Sequence, residues 1–221
     1  MSKILTIPLR HQVRDLIAEQ LWSGKFSFGD DLNEARLAEE LGVSRTPLRE
    51  GLVMLASEGL IEARPNRGFH VPAADPKAVA ELYPILGSLE ALAVQESTGD
   101  LQCLATDLDK INARLKKPTA NGLQRNTTDV DWHVRLVANC PNETLRREII
   151  SLRARSRIID GALFRGLANL EGSFAEHEAI AATIAERRLA KAAIMVIDHW
   201  HKGIGVVTAW IEETLQRGAA S

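Results

Sequence analysis

The sequence predicts a mostly α-helical protein, with an N-terminal winged helix-turn-helix followed by an all-α bundle of about six helices. Three observations carry that prediction. Residues 37–68, LAEELGVSRTPLREGLVMLASEGLIEARPNRG, read in order as helix, tight turn, helix and β-hairpin. Beyond Pro76, apolar residues recur at helical spacing in one segment after another. No strand-like alternation, internal repeat or low-complexity run interrupts them.

Each element has its local reason. Leu37, Ala38 and Leu41 form the apolar face of one helix, and Gly42 stands where a left-handed C-cap is needed. Ser44 can cap the next helix, and Pro47 is tolerated in a first turn, where N–H groups lack intrahelical partners. Leu48, Leu52 and Leu55 continue an apolar stripe, while Arg45, Thr46 and Arg49 start the same helix off that stripe. A second helix so arranged places its N-terminal residues against base edges in the major groove. Leu60–Arg64, then Pro65-Asn66-Arg67-Gly68, then Phe69–Val71 read as strand, turn and strand, so the motif is winged. Domain boundaries follow: 1–72 for the winged helix-turn-helix, a Pro/Ala linker at 73–76, and an all-α domain over 77–221. In the latter, Val79, Leu82, Ile85, Leu86, Leu89, Leu92 and Ala93 make a stripe in residues 76–97. Further helices are expected at 101–117, 123–139, 142–165, 173–187 and 189–216, with breaks at Lys117-Pro118, Pro141 and Gly166 to Gly172.

Composition sets bounds. The 221 residues are 45% apolar and 25% charged, within the ordinary range for soluble proteins. No apolar run approaches the ~20 residues that span a bilayer, and no signal-peptide pattern opens the chain. The two cysteines, Cys103 and Cys140, make no disulfide framework and suit a reducing cytoplasm. Net charge is −2, and residues 1–75 carry nine Lys/Arg against eleven Asp/Glu. Phosphate binding therefore rests on local arginines, with Arg10, Arg14, Arg36, Arg45, Arg49, Arg64 and Arg67 as candidates. Glu39, Glu40 and Glu58 then have to face elsewhere.

The helical part holds a second constellation. Asp129 and His133 are four apart on one expected helix and share a face. His177 lies near the start of the fifth bundle helix and His199 in the middle of the sixth. Such ligands on facing helices can converge on one ion in a bundle core. Three imidazoles and a carboxylate suit Zn²⁺, Ni²⁺, Mn²⁺, Fe²⁺ or Co²⁺, and ligand type alone does not choose among them. The alternative is a set of structural or surface histidines. Asp131 and His201, two residues from proposed ligands, are expected to face away.

Val43-Ser44-Arg45-Thr46-Pro47-Leu48-Arg49-Glu50, then Leu55, Glu58-Gly59-Leu60 and Arg67-Gly68, resemble the DNA-binding domain of the GntR family of bacterial transcription regulators. Lys25 to Leu32 (KFSFGDDL) resembles that family's loop before the helix-turn-helix, so the likeness spans roughly residues 8–72. Gly51 departs from it, standing where Ala is usual. An all-α domain with Asp129-Val130-Asp131-Trp132-His133, Glu176-His177 and Asp198-His199-Trp200 resembles the FadR subfamily's ligand-binding domain, in its VanR-like branch of about six helices.

The resemblance implies a cytoplasmic homodimer on a palindromic double-stranded operator, expected to be a repressor. It also implies a divalent metal on Asp129, His133, His177 and His199, with open positions for a carboxylate effector. Arg45 and Arg49 are the candidates for base contacts, since Arg to guanine is the commonest specific pairing. Ser44 and Thr46 stand beside them, Arg67 and Gly68 shape the wing, and Arg36 resembles a further DNA contact. Relatives often carry an effector-gripping Arg four residues before a Glu in the first bundle helix. Here Glu90 is present and Leu86 occupies the Arg position. Arg153 and Arg157, four apart on the fourth bundle helix, are the substitutes, against the alternative of a solvated Arg face. Two rival readings are a metal-dependent hydrolase using Glu176 or Glu178 as base, and a metal-free interaction domain.

Overall fold

The computed structural model describes residues 7–65, 67–117, 121–166 and 171–219. The chain divides into two units, Met1–Ala74 and Asp75–Ser221. In the first, the elements run α1 (Leu9–Ser23), β1 (Asp31–Leu32), α2 (Glu34–Leu41), α3 (Arg45–Ser57), β2 (Glu62–Arg64) and β3 (Gly68–His70). Asn33 caps α2 by accepting the Arg36 N–H at 3.0 Å. Gly42 ends that helix at φ +64°, a left-handed conformation that favours glycine. Ser44 occupies the N-cap position of α3 with extended backbone, but its hydroxyl makes no capping bond. The expected capping role is thereby corrected to one of position alone.

Leu48, Leu52 and Leu55 of α3 are fully buried, as are Val13, Ile17 and Leu21 of α1, which packs against α3. The sheet has the order β1-β3-β2, with β3 antiparallel to both neighbours. Phe69 pairs with Leu32 on one side and Ala63 on the other. The two-residue β1 adds a strand that the hairpin reading lacked. Gly68 opens β3 at φ +77°, and Asn66 of the expected turn lies outside the described residues.

Gly51 has a packing reason. A Cβ there would stand 2.9 Å from Val13 Cγ1 and 3.2 Å from the Arg10 carbonyl oxygen. Glycine lets α3 sit close against α1, and the obstacles are a stiff β-branched side chain and backbone. Ala would gain about 1 kcal/mol of helix propensity and lose about 1–3 kcal/mol to overpacking. Gly51→Ala is therefore expected to lower stability by about 1 kcal/mol net, seen as an earlier urea midpoint at unchanged slope. A later midpoint would show that α1 retreats at no cost.

The second unit contains, among its described residues, α4 (Pro76–Gln95), α5 (Leu101–Leu115), α6 (Gly122–Leu136), α7 (Glu143–Gly166), α8 (Glu171–Ala185) and α9 (Leu189–Ala219). Asp75, Asp100 and Asn121 cap α4, α5 and α6, the last with Gln124 in a capping box. The break at Gly166 to Gly172 is shorter than expected: α7 runs through Gly166 and α8 begins at Glu171. Residues 118–120 and 167–170, parts of two expected breaks, lie outside the described residues.

The inward face of α4 also differs from the apolar stripe. Ile85 and Leu92 are 50% and 42% exposed, while Tyr83 and Glu90 are 2% and 0% exposed. The helix turns a phenol and a carboxyl inward because both find buried partners. Gly87 lets α9 approach, with its would-be Cβ 3.0 Å from the Trp200 Cβ. No described helix is long and apolar enough to cross a membrane.

Candidate functional site

Three imidazoles meet inside the helical unit. His133 comes from α6, His177 from α8 and His199 from α9, and one ring nitrogen of each lies within 4.8 Å of the others. Asp129, one turn before His133, brings its Oδ2 to 3.9 Å from His133 Nε2 and its Oδ1 to 4.0 Å from His177 Nε2. Periodicity explains Asp129 and His133; the bundle topology supplies the other two.

The surroundings orient each ring. His133 Nδ1 lies 2.8 Å from Glu90 Oε2, and His199 Nδ1 lies 2.8 Å from Glu176 Oε2. A carboxylate on Nδ1 fixes that nitrogen as the N–H donor and leaves Nε2 with its lone pair, the arrangement of metal-binding histidines. Burial pushes the Glu90 carboxyl up, but His133, Arg153 and the Trp200 N–H outweigh it and hold it below the ordinary range. The same Glu90 oxygen accepts from Trp200 Nε1 at 2.8 Å. Glu176 also accepts from Lys202 at 2.7 Å.

His177 is the exception. It is fully buried and stacked on Trp132, with centroids 3.7 Å apart and planes 5° from parallel. Neither of its ring nitrogens has a hydrogen-bond partner. Burial drives its pKa well below 6.5, helped by His199, His133 and Arg153, so it is a neutral ring. A buried imidazole with nothing to bond is costly, and a cation on its Nε2 side would answer that cost. The residues present therefore fit a divalent ion.

A cavity of about 330 Å³ opens beside the cluster, lined by Asp129, His133, His199, Arg153, Asp160 and Tyr83 together with apolar side chains of α7 and α9. Arg153 is buried and binds Asp129 Oδ2 at 3.0 Å. Asp160 Oδ2 accepts from the Ser156 hydroxyl at 3.0 Å, and its Oδ1 accepts from the Tyr83 hydroxyl. Burial lifts the Asp160 carboxyl, opposed by Arg153. Arg157 is not among the cavity's lining residues; its carbonyl accepts from Asn126 Nδ2 at 3.4 Å. Leu86, where the resemblance implied an Arg, is fully buried. Asp131 pairs outward with Arg114 at 3.7 Å, and His201 is exposed. Glu178, a base in the hydrolase reading, pairs with Lys116. Residue spacing offered no histidine partner for Glu90 or Glu176. The signal for Glu90 was its place four residues after Leu86 on a buried face.

On the first unit, Arg45 starts α3, exposed and without an ion pair among the described residues. Thr46 and Arg67 are exposed too. Arg49 is less available: its Nη1 lies 3.0 Å from Glu34 Oε1. Arg36 binds Glu40 at 2.8 Å and Arg14 binds Glu58. The acidic residues of this unit are thus partly consumed by its own arginines.

A winged helix-turn-helix joined to a helical domain with a buried histidine cavity defines a DNA-binding transcriptional regulator with an effector domain. The chain belongs to the GntR family: "Bacterial regulatory proteins, gntR family" matches residues 9–71, and the FCD domain, the FadR-type effector-binding domain, matches residues 81–202. The Nta operon transcriptional regulator of Aminobacter aminovorans is 30% identical over 181 residues, covering 80% of this chain and 84% of that protein. An uncharacterized HTH-type transcriptional regulator of Bacillus subtilis, YdhC, is 36% identical over 88 residues, which is 40% of this chain and 39% of that protein. Two solved structures share the fold. Escherichia coli McbR/YncC has a TM-score of 0.76 at 21% identity, over 93% of this chain and 99% of that one. A putative GntR regulator from Rhodococcus sp. RHA1 has a TM-score of 0.77 at 20% identity, over 90% and 97%.

Proposed function

We propose that this regulator is a homodimeric repressor that binds a palindromic operator and is gated by a small organic acid at a metal site. Asp129, His133, His177 and His199 are the ligands in this reading. The observation that supports the metal site is the fully buried His177, unpartnered at both nitrogens and close to two other oriented imidazoles. A bound Zn²⁺, Ni²⁺, Mn²⁺ or Fe²⁺ supplies open coordination positions to a carboxylate oxygen. The chain's own residues do the rest. Glu90 and Glu176 hold His133 and His199 in the ligating tautomer, and Trp132 holds the plane of His177.

Two-fold symmetry of the dimer would be mirrored in the operator. Arg45 and Arg49 read bases, Thr46 contacts a phosphate or a thymine methyl, Arg67 contacts phosphate, Ser44 and Arg36 are further DNA contacts, and Gly68 lets the wing approach the minor groove. An effector that binds the DNA-free arrangement better releases the operator. Selection of the metal-loaded protein on a random duplex pool tests this reading, followed by competition with organic acids. Enrichment of two inverted half-sites, and release by an acid, is the expected result. Asymmetric or unenriched sequences would overturn the dimer and operator reading.

Glu90 gives a narrower test. Outer-shell partners of ligating histidines typically change metal affinity 10–100-fold. Glu90→Gln is expected to weaken ion binding by about that factor, read by competition with a chromophoric chelator. Unchanged affinity would remove Glu90 from the proposed assembly.

A further inference from the structure

The charges in the cavity decide what kind of acid it can take. Arg153 is its one deeply buried guanidinium among the described residues, and both terminal nitrogens face the protein's own carboxylates. Nη2 donates to Asp129 at 3.0 Å and Nη1 lies 3.7 Å from Asp160 Oδ2. Asp160 is held there by Tyr83 and Ser156, and the guanidinium lies against Trp200, 5.1 Å from its ring centroid. The other lining cation, Lys202, is engaged by Glu176. Leu163, Phe164, Val206, Val207 and Trp200 make the apolar wall, and Ser173 with Gly172 and Gly203 completes the lining.

Three buried carboxylates, Glu90, Asp129 and Asp160, thus surround a single buried guanidinium. A divalent ion on the histidines brings these charges into balance, and one incoming carboxylate can sit at the ion. A second carboxylate on the same ligand would lie against apolar side chains or against Asp160. Burying a charge without a partner is heavily disfavoured.

We infer that the effector is a small monocarboxylate with an apolar body, and that Asp129 and Asp160, facing the two terminal nitrogens of Arg153, repel the second charge of a dicarboxylate. The inference rests on the metal-site reading of the cavity. The apolar body lies along Leu163, Phe164 and Val207, and the acid group sits at the histidine end.

The test is calorimetric titration of the full chain, loaded with Zn²⁺ and checked for ion content beforehand. Two matched pairs are compared, hexanoate with adipate and benzoate with phthalate. The monoacid of at least one pair binds at least about tenfold tighter than its diacid, reflecting the unpaired buried charge. Asp160→Asn removes the negative charge facing Arg153 Nη1 and narrows that gap. Leu163→Ala weakens hexanoate more than acetate, by about fourfold for each methylene group no longer buried. Diacids that bind as tightly as monoacids, or no binding of either pair to ion-loaded protein, overturn the inference. Protein that takes up no ion instead overturns the metal reading beneath it, and the ion assay shows this before any acid is added. The wild-type pairs decide the matter even where a variant fails to fold.

Discussion

Protein loaded with Zn²⁺ or Ni²⁺ is expected to melt roughly 8–16 °C above chelator-treated protein. That range combines about 4 kcal/mol of linkage, at a free ion concentration a thousandfold above Kd, with about 2–4 °C per kcal/mol for a chain of this size. The structural ground is the trio of rings from α6, α8 and α9, three separate helices that one ion would tie together. His177 contributes most, because its buried, unbonded Nε2 is a cost that ligation removes. His199→Ala, which touches a partly exposed ring, should abolish the shift while leaving the metal-free melting temperature near its original value. Identical melting with and without ion would show that the cluster is structural.

Arg45→Ala is expected to weaken operator binding by at least about 30-fold. A bidentate Arg–guanine contact is worth about 1–3 kcal/mol, and the proposed symmetric dimer would lose two. Arg45 outranks Arg49 because its guanidinium is exposed without an ion pair among the described residues, whereas Arg49 must first leave Glu34. Anisotropy titrations on operator and scrambled duplexes separate the roles. Loss confined to the operator marks a base contact. An equal loss on both duplexes, with a salt slope shallower by about one per contact, marks a phosphate contact instead. No change on either would remove Arg45 from the interface.

Much of the fold was legible because its determinants are local. The helix expected at 101–117 is α5 at Leu101–Leu115, begun by the Asp100 cap, and the helix expected at 142–165 is α7 at Glu143–Gly166. Capping residues, glycines and prolines act within a turn of themselves, so a sequence displays them. What was not legible depends on distant partners. Ile85 and Leu92 fit an apolar stripe, yet α4 buries Tyr83 and Glu90 instead, because Asp160, His133 and Trp200 wait for them on other helices. Gly51 reads as a weak point in a helix until Val13 and the α1 backbone are placed beside it. The four proposed ligands could be named from spacing and resemblance. Their orienting carboxylates could not, since Glu90 and His133 lie 43 residues apart. The resemblance offers Arg153 and Arg157 as substitutes for an acid-gripping Arg, against a solvated Arg face, and Arg153 is buried and bound to Asp129, with Asp160 3.7 Å away.

The central claim is that Asp129, His133, His177 and His199 hold an ion. The most direct measurement is metal content by mass spectrometry on untagged protein, purified without chelator and compared with a His133→Ala/His199→Ala double variant. Both are first checked for helical content by circular dichroism. The account predicts about one divalent ion per wild-type chain and none in the folded double variant. Wild-type protein without metal, even after dialysis against Zn²⁺, Ni²⁺ and Mn²⁺, or a double variant that keeps its ion, would contradict it.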